Sequence, residues 1–248
     1  MKARVVAALV CAFAFAFAFA VAGAHAGPAD YVYLPPVGYG EREFDFKYGA
    51  ATKAGDPTEQ AASVGFGYGA TAFWFTEFYV KYKHEGTRTR FDAVEWENKF
   101  QLTETGRYPV DIGFITEIEV PRDRSEGYEF RWGPLFQAEF DRLQLNANLL
   151  VTNIMRADAG NGTTVGYQWQ AKYRWHPEFE FGLQGFGEMG RWNHLAPTDE
   201  QNHRLGPAVF GKFRLGGRQA IVYNAALLFG VTQAAPDRTW RLQAEYEF

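Results

Sequence analysis

Hydrophobic and polar residues alternate along most of this chain. In "VGFGYG", Val64, Phe66 and Tyr68 fall on one side of an extended backbone and Gly65 and Gly67 on the other. "WFTEFYVKYK" sets Trp74, Thr76, Phe78, Val80 and Tyr82 against Phe75, Glu77, Tyr79, Lys81 and Lys83. "VDIGFITEIEV" divides Val110, Ile112, Phe114, Thr116, Ile118 and Val120 from Asp111, Gly113, Ile115, Glu117 and Glu119. A period of two belongs to a strand with one oily and one wet face. Carried along the chain, it predicts twelve strands, at about 41–49, 61–69, 73–84, 90–102, 109–120, 127–140, 143–154, 163–175, 178–190, 202–213, 218–231 and 238–248. These lengths suit strands that cross a bilayer at a tilt, which need roughly 9–11 residues.

The connections alternate too. After the second, fourth, sixth, eighth and tenth strands they read "GATA", "TETGRY", "DR", "HP" and "LGGR". The others, including "AATKAGDPTEQ", "RDRSEG", "MRADAGNG", "RWNHLAPTDEQ" and "TQAAPD", are mostly longer. One tight rim and one loose rim is the habit of membrane barrels.

Alternation alone does not say which face is inside. Twelve strands enclose a lumen too wide for a dry, side-chain-filled core. The polar face carries Glu95, Glu97, Lys99, Arg131, Gln137, Gln168, Gln170, Lys172 and Arg174, and charges buried without partners cost several kcal/mol each. The prediction is therefore an all-β fold, a single closed antiparallel transmembrane barrel with its apolar face toward lipid and every backbone group paired. Trp74, Trp132, Trp169, Trp175 and Trp240 fall on the apolar face, several near strand ends, as in an aromatic girdle; ordinary β-propensity is the plainer account.

Ahead of the barrel, Lys2 and Arg4 precede an apolar run from Val5 to Ala22, followed by Ala24-His25-Ala26. This is a signal-peptide pattern, predicting a leader of residues 1–26 cleaved near Ala26. Residues 27–40, "GPADYVYLPPVGYG", are predicted to lie below the barrel on the periplasmic side, with Pro35 and Pro36 preventing sheet pairing. Residues 41–248 form the predicted barrel. Cys11, the one cysteine of the 248 residues, lies in the leader, so no disulfide framework is expected. Without Lys2 and Arg4 the 25 Lys and Arg fall to 23 against 29 Asp and Glu, a net charge of -6. That balance argues against a nucleic-acid partner.

The end of the chain, "TWRLQAEYEF", places Trp240, Leu242, Ala244, Tyr246 and Phe248 at alternate positions. It resembles the C-terminal signature of bacterial outer-membrane β-barrel proteins. The resemblance implies that Trp240, Leu242, Tyr246 and Phe248 form a signal read by the barrel assembly machinery, with periplasmic chaperones as earlier partners and the last strand sealing against the first. It also implies an outer-membrane location in contact with lipid and lipopolysaccharide. "VYLPPVGYGEREFDFKYG", "EWENKFQLTETGRYPVDIG" and "QAKYRWHPEFEFGLQGFGEMG" resemble stretches of proteobacterial outer-membrane proteins, a likeness that implies a place rather than a reaction.

Candidate chemistry is sparse. Ser63 and Ser125, the two serines, lie in no nucleophile elbow and no Ser-x-x-Lys setting. His194, Asp199 and His203 share a long loop, in the pattern of an Asp-His water activator or a metal site; a solvated polar loop explains them as well. No Gly-rich phosphate loop, zinc spacing or calcium loop occurs, so no cofactor or metal is expected. The inner face is more informative. Pairing each hairpin about its turn centre sets Glu77 beside Glu95, Glu95 beside Glu117, Glu117 beside Arg131, and Arg174 beside Glu180. With Glu97 and Lys99 these groups form the waist of a predicted lumen. Gly65, Gly67, Gly113, Gly133, Gly166, Gly182, Gly206 and Ala208 give it room, and no N-terminal plug is expected.

Three functions fit this pattern. The first is a narrow passive channel for small hydrophilic or ionic solutes, lined by Glu77, Glu95, Glu97, Lys99, Glu117 and Arg131. The second is a structural or surface-interaction barrel with its lumen closed by charge pairs. The third is an outer-membrane hydrolase at the extracellular rim, resting on His194, Asp199 and His203.

Overall fold

The computed structural model describes residues 27–85 and 88–248; the predicted leader lies outside them. The strands are β1 (Arg42–Thr52), β2 (Glu59–Thr71), β3 (Trp74–Glu85), β4 (Arg88–Gln101), β5 (Asp111–Pro121), β6 (Tyr128–Phe140), β7 (Leu143–Met155), β8 (Gly162–His176), β9 (Phe179–Arg191), β10 (His194–Leu195), β11 (Asn202–Gly216), β12 (Gln219–Gly230) and β13 (Arg238–Glu247). All twelve predicted strands are present. The two-residue β10, folded back on β9, is an addition.

Each long strand pairs antiparallel with the next, and β13 pairs with β1. Phe46 stands opposite Ala244, and the Phe248 amide donates to the Arg42 carbonyl at 2.8 Å, so the ladder closes on itself. Closure leaves no edge, the condition for a sheet in lipid.

The tight rim is built from the connections 72–73, 141–142, 177–178 and 217–218. Asp141 and Gly217 hold positive φ angles of 56° and 57°, the twist that joins two right-twisted strands in few residues. The predicted short link "TETGRY" is instead a longer connection, 102–110. Its Thr103 hydroxyl accepts from the Ile112 amide at 2.7 Å, and the Asp111 carboxylate accepts from the Gly106 amide at 2.8 Å.

The faces divide as the alternation predicts. Phe44, Phe46, Tyr48, Val64, Phe66, Phe78, Trp96, Leu149 and Leu242 are exposed on the outside, whereas Asp45, Lys47, Glu77, Glu97, Gln168, Gln170 and Gln243 are buried within. Neighbouring residues make the contrast sharp: Leu183 is 46% exposed and Gln184 0%.

Residues 27–40 depart from the prediction. They do not lie below the barrel but run through its lumen. Pro28 is at the level of Gly49, near the loop rim, and the Gly40 amide meets the Gly69 carbonyl at 2.8 Å, near the turn rim. The segment joins no strand among the described residues. Its apolar side chains, however, have found burial. Val32 packs with Phe186, Phe210 and Leu228, and Tyr33 with Ile115, Leu135 and Leu150, two apolar patches on an otherwise polar inner wall. Burying such side chains is worth roughly 1.5–3 kcal/mol each, which favours the inserted position over a solvated one.

Candidate functional site

The lumen and the segment inside it form the candidate site. Alternation in "EFDFKYG" sends Asp45 and Lys47 inward between the lipid-facing Phe44, Phe46 and Tyr48. From β3 to β6, one level of the wall holds Glu77, Glu95, Glu97, Glu117 and Arg131. The register is Glu77 opposite Glu97, Glu97 opposite Glu117, and Glu117 opposite Arg131. Only the last of these pairings matches the sequence prediction. Glu95 instead faces Glu119, and the two slips are of two residues, which keeps every side chain on its face. The predicted Arg174–Glu180 pair is also replaced: Arg174 reaches Glu139 at 2.8 Å, and Lys172 holds Glu180 at 2.9 Å. Lys99 faces inward nearer the turn rim, its ammonium 5.1 Å from the centre of the Phe75 ring.

Carboxylate oxygens of Glu95, Glu97 and Glu117 lie within 4.8 Å of one another. Such crowding repels unless cations or donors intervene. Lys81 bonds Glu95 at 2.9 Å and Glu119 at 2.5 Å, and Arg131 reaches Glu117 at 3.3 Å and Glu129 at 3.0 Å. The remaining donors come from the inserted segment. The Tyr31 hydroxyl donates to Glu97 at 2.5 Å, the Tyr33 hydroxyl donates to Glu117, and Asp30 lies 3.9 Å from Arg131. Lys47, 3.3 Å from Asp45, is sandwiched between the Tyr31 and Tyr79 rings at 3.5 and 3.6 Å. Its charge is thus shared by a carboxylate and two aromatic faces. The three crowded carboxylates offer metal-ligand geometry, but each already accepts from a protein donor.

The other half of the wall is an amide belt. Gln144 and Asn146 both donate to Gln137, Gln170 donates to Asn146, and Gln184 donates to Gln170. Arg241 donates to Gln184 at 2.6 Å, and Gln243 donates to Asp45 at 3.1 Å, which returns the belt to β1. The segment bonds this side through its backbone: Asn148 donates to the Tyr33 carbonyl at 3.0 Å, and the Tyr33 amide donates to Gln168 at 3.4 Å; on the opposite side the Val37 amide donates to Gln101 of β4 at 2.8 Å.

Of the inward glycines predicted to open a passage, Gly113 is covered by the segment and Gly65 and Gly67 by rings, while a Cβ at Gly133, Gly166, Gly182 or Gly206 would meet the backbone of the neighbouring strand; Gly49 and Gly69, outside that prediction, also face the segment. A Cβ at Gly49 would stand 2.0 Å from the Pro28 carbonyl oxygen, one at Gly69 1.8 Å from that of Gly38, and one at Gly113 3.0 Å from the Pro35 Cα. Tyr79 and Phe75 fill the space over Gly65 and Gly67. These are notches cut for the segment and for rings, not free bore. Beside Asp30 and Arg131 a cavity of about 30 Å³ is lined by Thr152, Thr164, Gln168 and Phe186, the size of a single water.

The remaining sequence candidates separate. His203 meets the Tyr167 hydroxyl at 2.9 Å and Gln201 at 2.6 Å on the outer face, over Gly187. Asp199 engages Ala234 through its backbone carbonyl, and His194 is exposed on β10. No hydrogen bond among the described residues joins His194, Asp199 and His203. Trp240 and Leu242 face outward, 59% and 42% exposed. Phe248 stacks on Phe44 and on Tyr246, each at 5.6 Å, at the β1–β13 seam. The sequence reading missed Tyr31, Tyr33, Asp45, Lys47 and Arg241. Asp45 and Lys47 carried a usable signal, since both alternate with three aromatics.

No protein-family model matches the chain, and no curated protein sequence matches it. Solved structures do. The NanC porin aligns with a TM-score of 0.56 at 9% identity, covering 83% of this chain and 100% of that one. An outer membrane channel from Pseudomonas putida F1 aligns with a TM-score of 0.54 at 12% identity, covering 90% and 100%. At such identities the likeness is one of fold: this chain has the architecture of outer-membrane barrels.

Proposed function

We propose that this protein is an outer-membrane channel of narrow bore for small hydrophilic or ionic solutes, shut in the conformation described by its own residues 27–40. One observation carries the reading. The lumen wall carries charged and amide side chains over most of its circumference, broken by two apolar patches that the segment covers, yet the element that blocks it lies outside the barrel's ladder and is held by side-chain bonds and packing. A block that is not part of the wall can leave without breaking the wall. Withdrawal of Tyr31 and Tyr33 uncovers Glu97 and Glu117, two carboxylates facing an aqueous passage, which favours cations. The similarity in fold to a porin and to an outer membrane channel supports the same reading.

Planar-bilayer recording tests it. The wild-type barrel should show rare, small openings, and a variant lacking residues 27–38 should conduct steadily. A folded deletion variant with no conductance steps rejects the channel.

The filled lumen favours a second reading, a closed structural barrel: Gln184 is 0% exposed, Asn148 1% and Glu117 3%. Liposome swelling with small sugars separates the two, because a closed barrel swells no liposomes even after the deletion. A hydrolase resting on His194, Asp199 and His203 has no assembled site to support it.

A further inference from the structure

We propose that the lumen, once residues 27–40 withdraw, binds a primary amine carried on an apolar body, its ammonium between Glu97 and Glu117 and its body against Ile115, Leu135 and Leu150. Occupation requires that the segment leave, and in that respect it rests on the channel reading. Strands β4 and β5 turn two carboxylate pairs into the lumen, Glu95 opposite Glu119 and, two residues along, Glu97 opposite Glu117. The first pair shows what such a site takes: the Lys81 ammonium lies 2.9 Å from Glu95 and 2.5 Å from Glu119. The second pair has the same construction without an ammonium. It is met instead by the Tyr31 and Tyr33 hydroxyls, with the Arg131 guanidinium 3.3 Å from Glu117. Glu97 is 3% exposed and has no ion-pair partner among the described residues. Glu77, opposite Glu97 on β3 and at the same level of the lumen, has none either; it is 2% exposed, and its Oε1 accepts no hydrogen bond. Two buried carboxylates side by side without a cation leave a deficit of positive charge that a solute can supply.

Shape selects an amine on an apolar body over a bare metal ion. Oxygens of Glu95, Glu97 and Glu117 lie within 4.8 Å of one another. An ammonium that donates tetrahedrally across about 2.8 Å holds its acceptors about 4.6 Å apart. A metal ion could gather the same oxygens, but it has no use for the apolar surface beside them. Tyr33 packs on Ile115, Leu135 and Leu150 and ends in a donor on Glu117. A ring-sized apolar slot thus closes on a carboxylate, and Tyr33 traces the outline of its occupant. An ammonium in place of the phenol hydroxyl also brings the positive charge that Glu77 and Glu97 lack, so an amine gains more from the slot than the tyrosine it replaces.

The probe is 2-phenylethylammonium, with 2-phenylethanol as a neutral counterpart of like shape, each titrated calorimetrically into the refolded barrel in detergent. Tyr33→Ala vacates the slot in the full chain, and the heat-shifted gel band of the folded barrel reports that the variant is intact. It should bind the amine at least about tenfold more tightly than the alcohol. In the wild type the amine must displace Tyr33, so it should bind more weakly but with the same preference, and either protein reads out the selectivity. Glu97→Gln with Glu117→Gln should abolish that preference. Equal affinity for amine and alcohol, or binding of neither, overturns the proposal. So does a preference that survives the double variant. Planar-bilayer records separate this site from the channel: amine binding without conductance steps retains the site and rejects the channel, whereas conductance without amine preference rejects the site and retains the channel.

Discussion

The Tyr31 hydroxyl donates to Glu97 across 2.5 Å, a bond that ties the inserted segment to strand β4. Tyr33 repeats it on Glu117 of β5. Hydrogen bonds to a charged acceptor are worth about 1.5–3 kcal/mol each. Tyr31→Phe with Tyr33→Phe should therefore raise the open fraction in single-channel records at least about tenfold, by weakening the closed state alone. An unchanged open fraction, with the barrel folded, removes these bonds from the closing mechanism.

Gly49 gives a steric version of the same test. Its missing side chain leaves 2.0 Å between a hypothetical Cβ and the Pro28 carbonyl oxygen, a distance no carbon tolerates. Gly49→Val should push residues 27–30 out of the wall and increase conductance in the full chain. In the variant lacking residues 27–38, the same substitution should leave conductance nearly unchanged. An equal effect in both backgrounds places the consequence in the strand rather than the segment.

A lock is predicted at Pro35 and Gly113. A Cβ at Gly113 would stand 3.1 Å from the Pro35 Cβ, close to the roughly 3.8 Å of a disulfide. The barrel and the segment contain no cysteine, since Cys11 precedes both. Pro35→Cys with Gly113→Cys should oxidise without competing thiols, suppress openings, and release them on addition of a reductant. Free conductance in the oxidised, gel-shifted protein contradicts the plug.

The barrel was legible because its information is local. Phe44, Asp45, Phe46 and Lys47 announce their faces within four residues, and a turn centre misjudged by one residue slides a register by two without turning any side chain over. That is why Glu97, not Glu95, stands beside Glu117 while both stay inside. The bulge between Lys81 and Tyr82 and the length of connection 102–110 set those registers, and neither leaves a mark in the alternation. The segment was illegible for the opposite reason. Tyr31 meets a partner 66 residues away, Tyr33 partners 84 and 135 away, and "ADYVYLPP" has no period to reveal them. Its apolar content was visible. What it would pack against was not, because Phe186, Ile115 and Leu135 interrupt a polar face and read as exceptions to it.

Leu183 and Gln184 are neighbours with opposite surroundings, and they test which side of the wall meets lipid. Leu183 is 46% exposed in the middle of β9; Gln184 is 0% exposed, donating to Gln170 at 3.0 Å and accepting from Arg241 at 2.6 Å. In a water-soluble barrel, an arginine at so exposed a site would be tolerated or would improve solubility. In a bilayer the same change drives a charge into acyl chains, at about 2–4 kcal/mol near the midplane. Leu183→Arg should therefore lower the urea midpoint of the barrel refolded in phosphatidylcholine vesicles, followed by the heat-shifted gel band, by an amount corresponding to that cost. Leu183→Val should leave the midpoint nearly unchanged. Gln184→Leu should destabilise through a different route, by taking from Arg241 its acceptor, at roughly 1–3 kcal/mol. That loss should be the same in vesicles and in detergent, whereas the Leu183→Arg loss should shrink in detergent, where a micelle deforms around the charge. If Leu183→Arg costs nothing in vesicles, the outer face does not lie in lipid, and the lumen is no passage across a membrane.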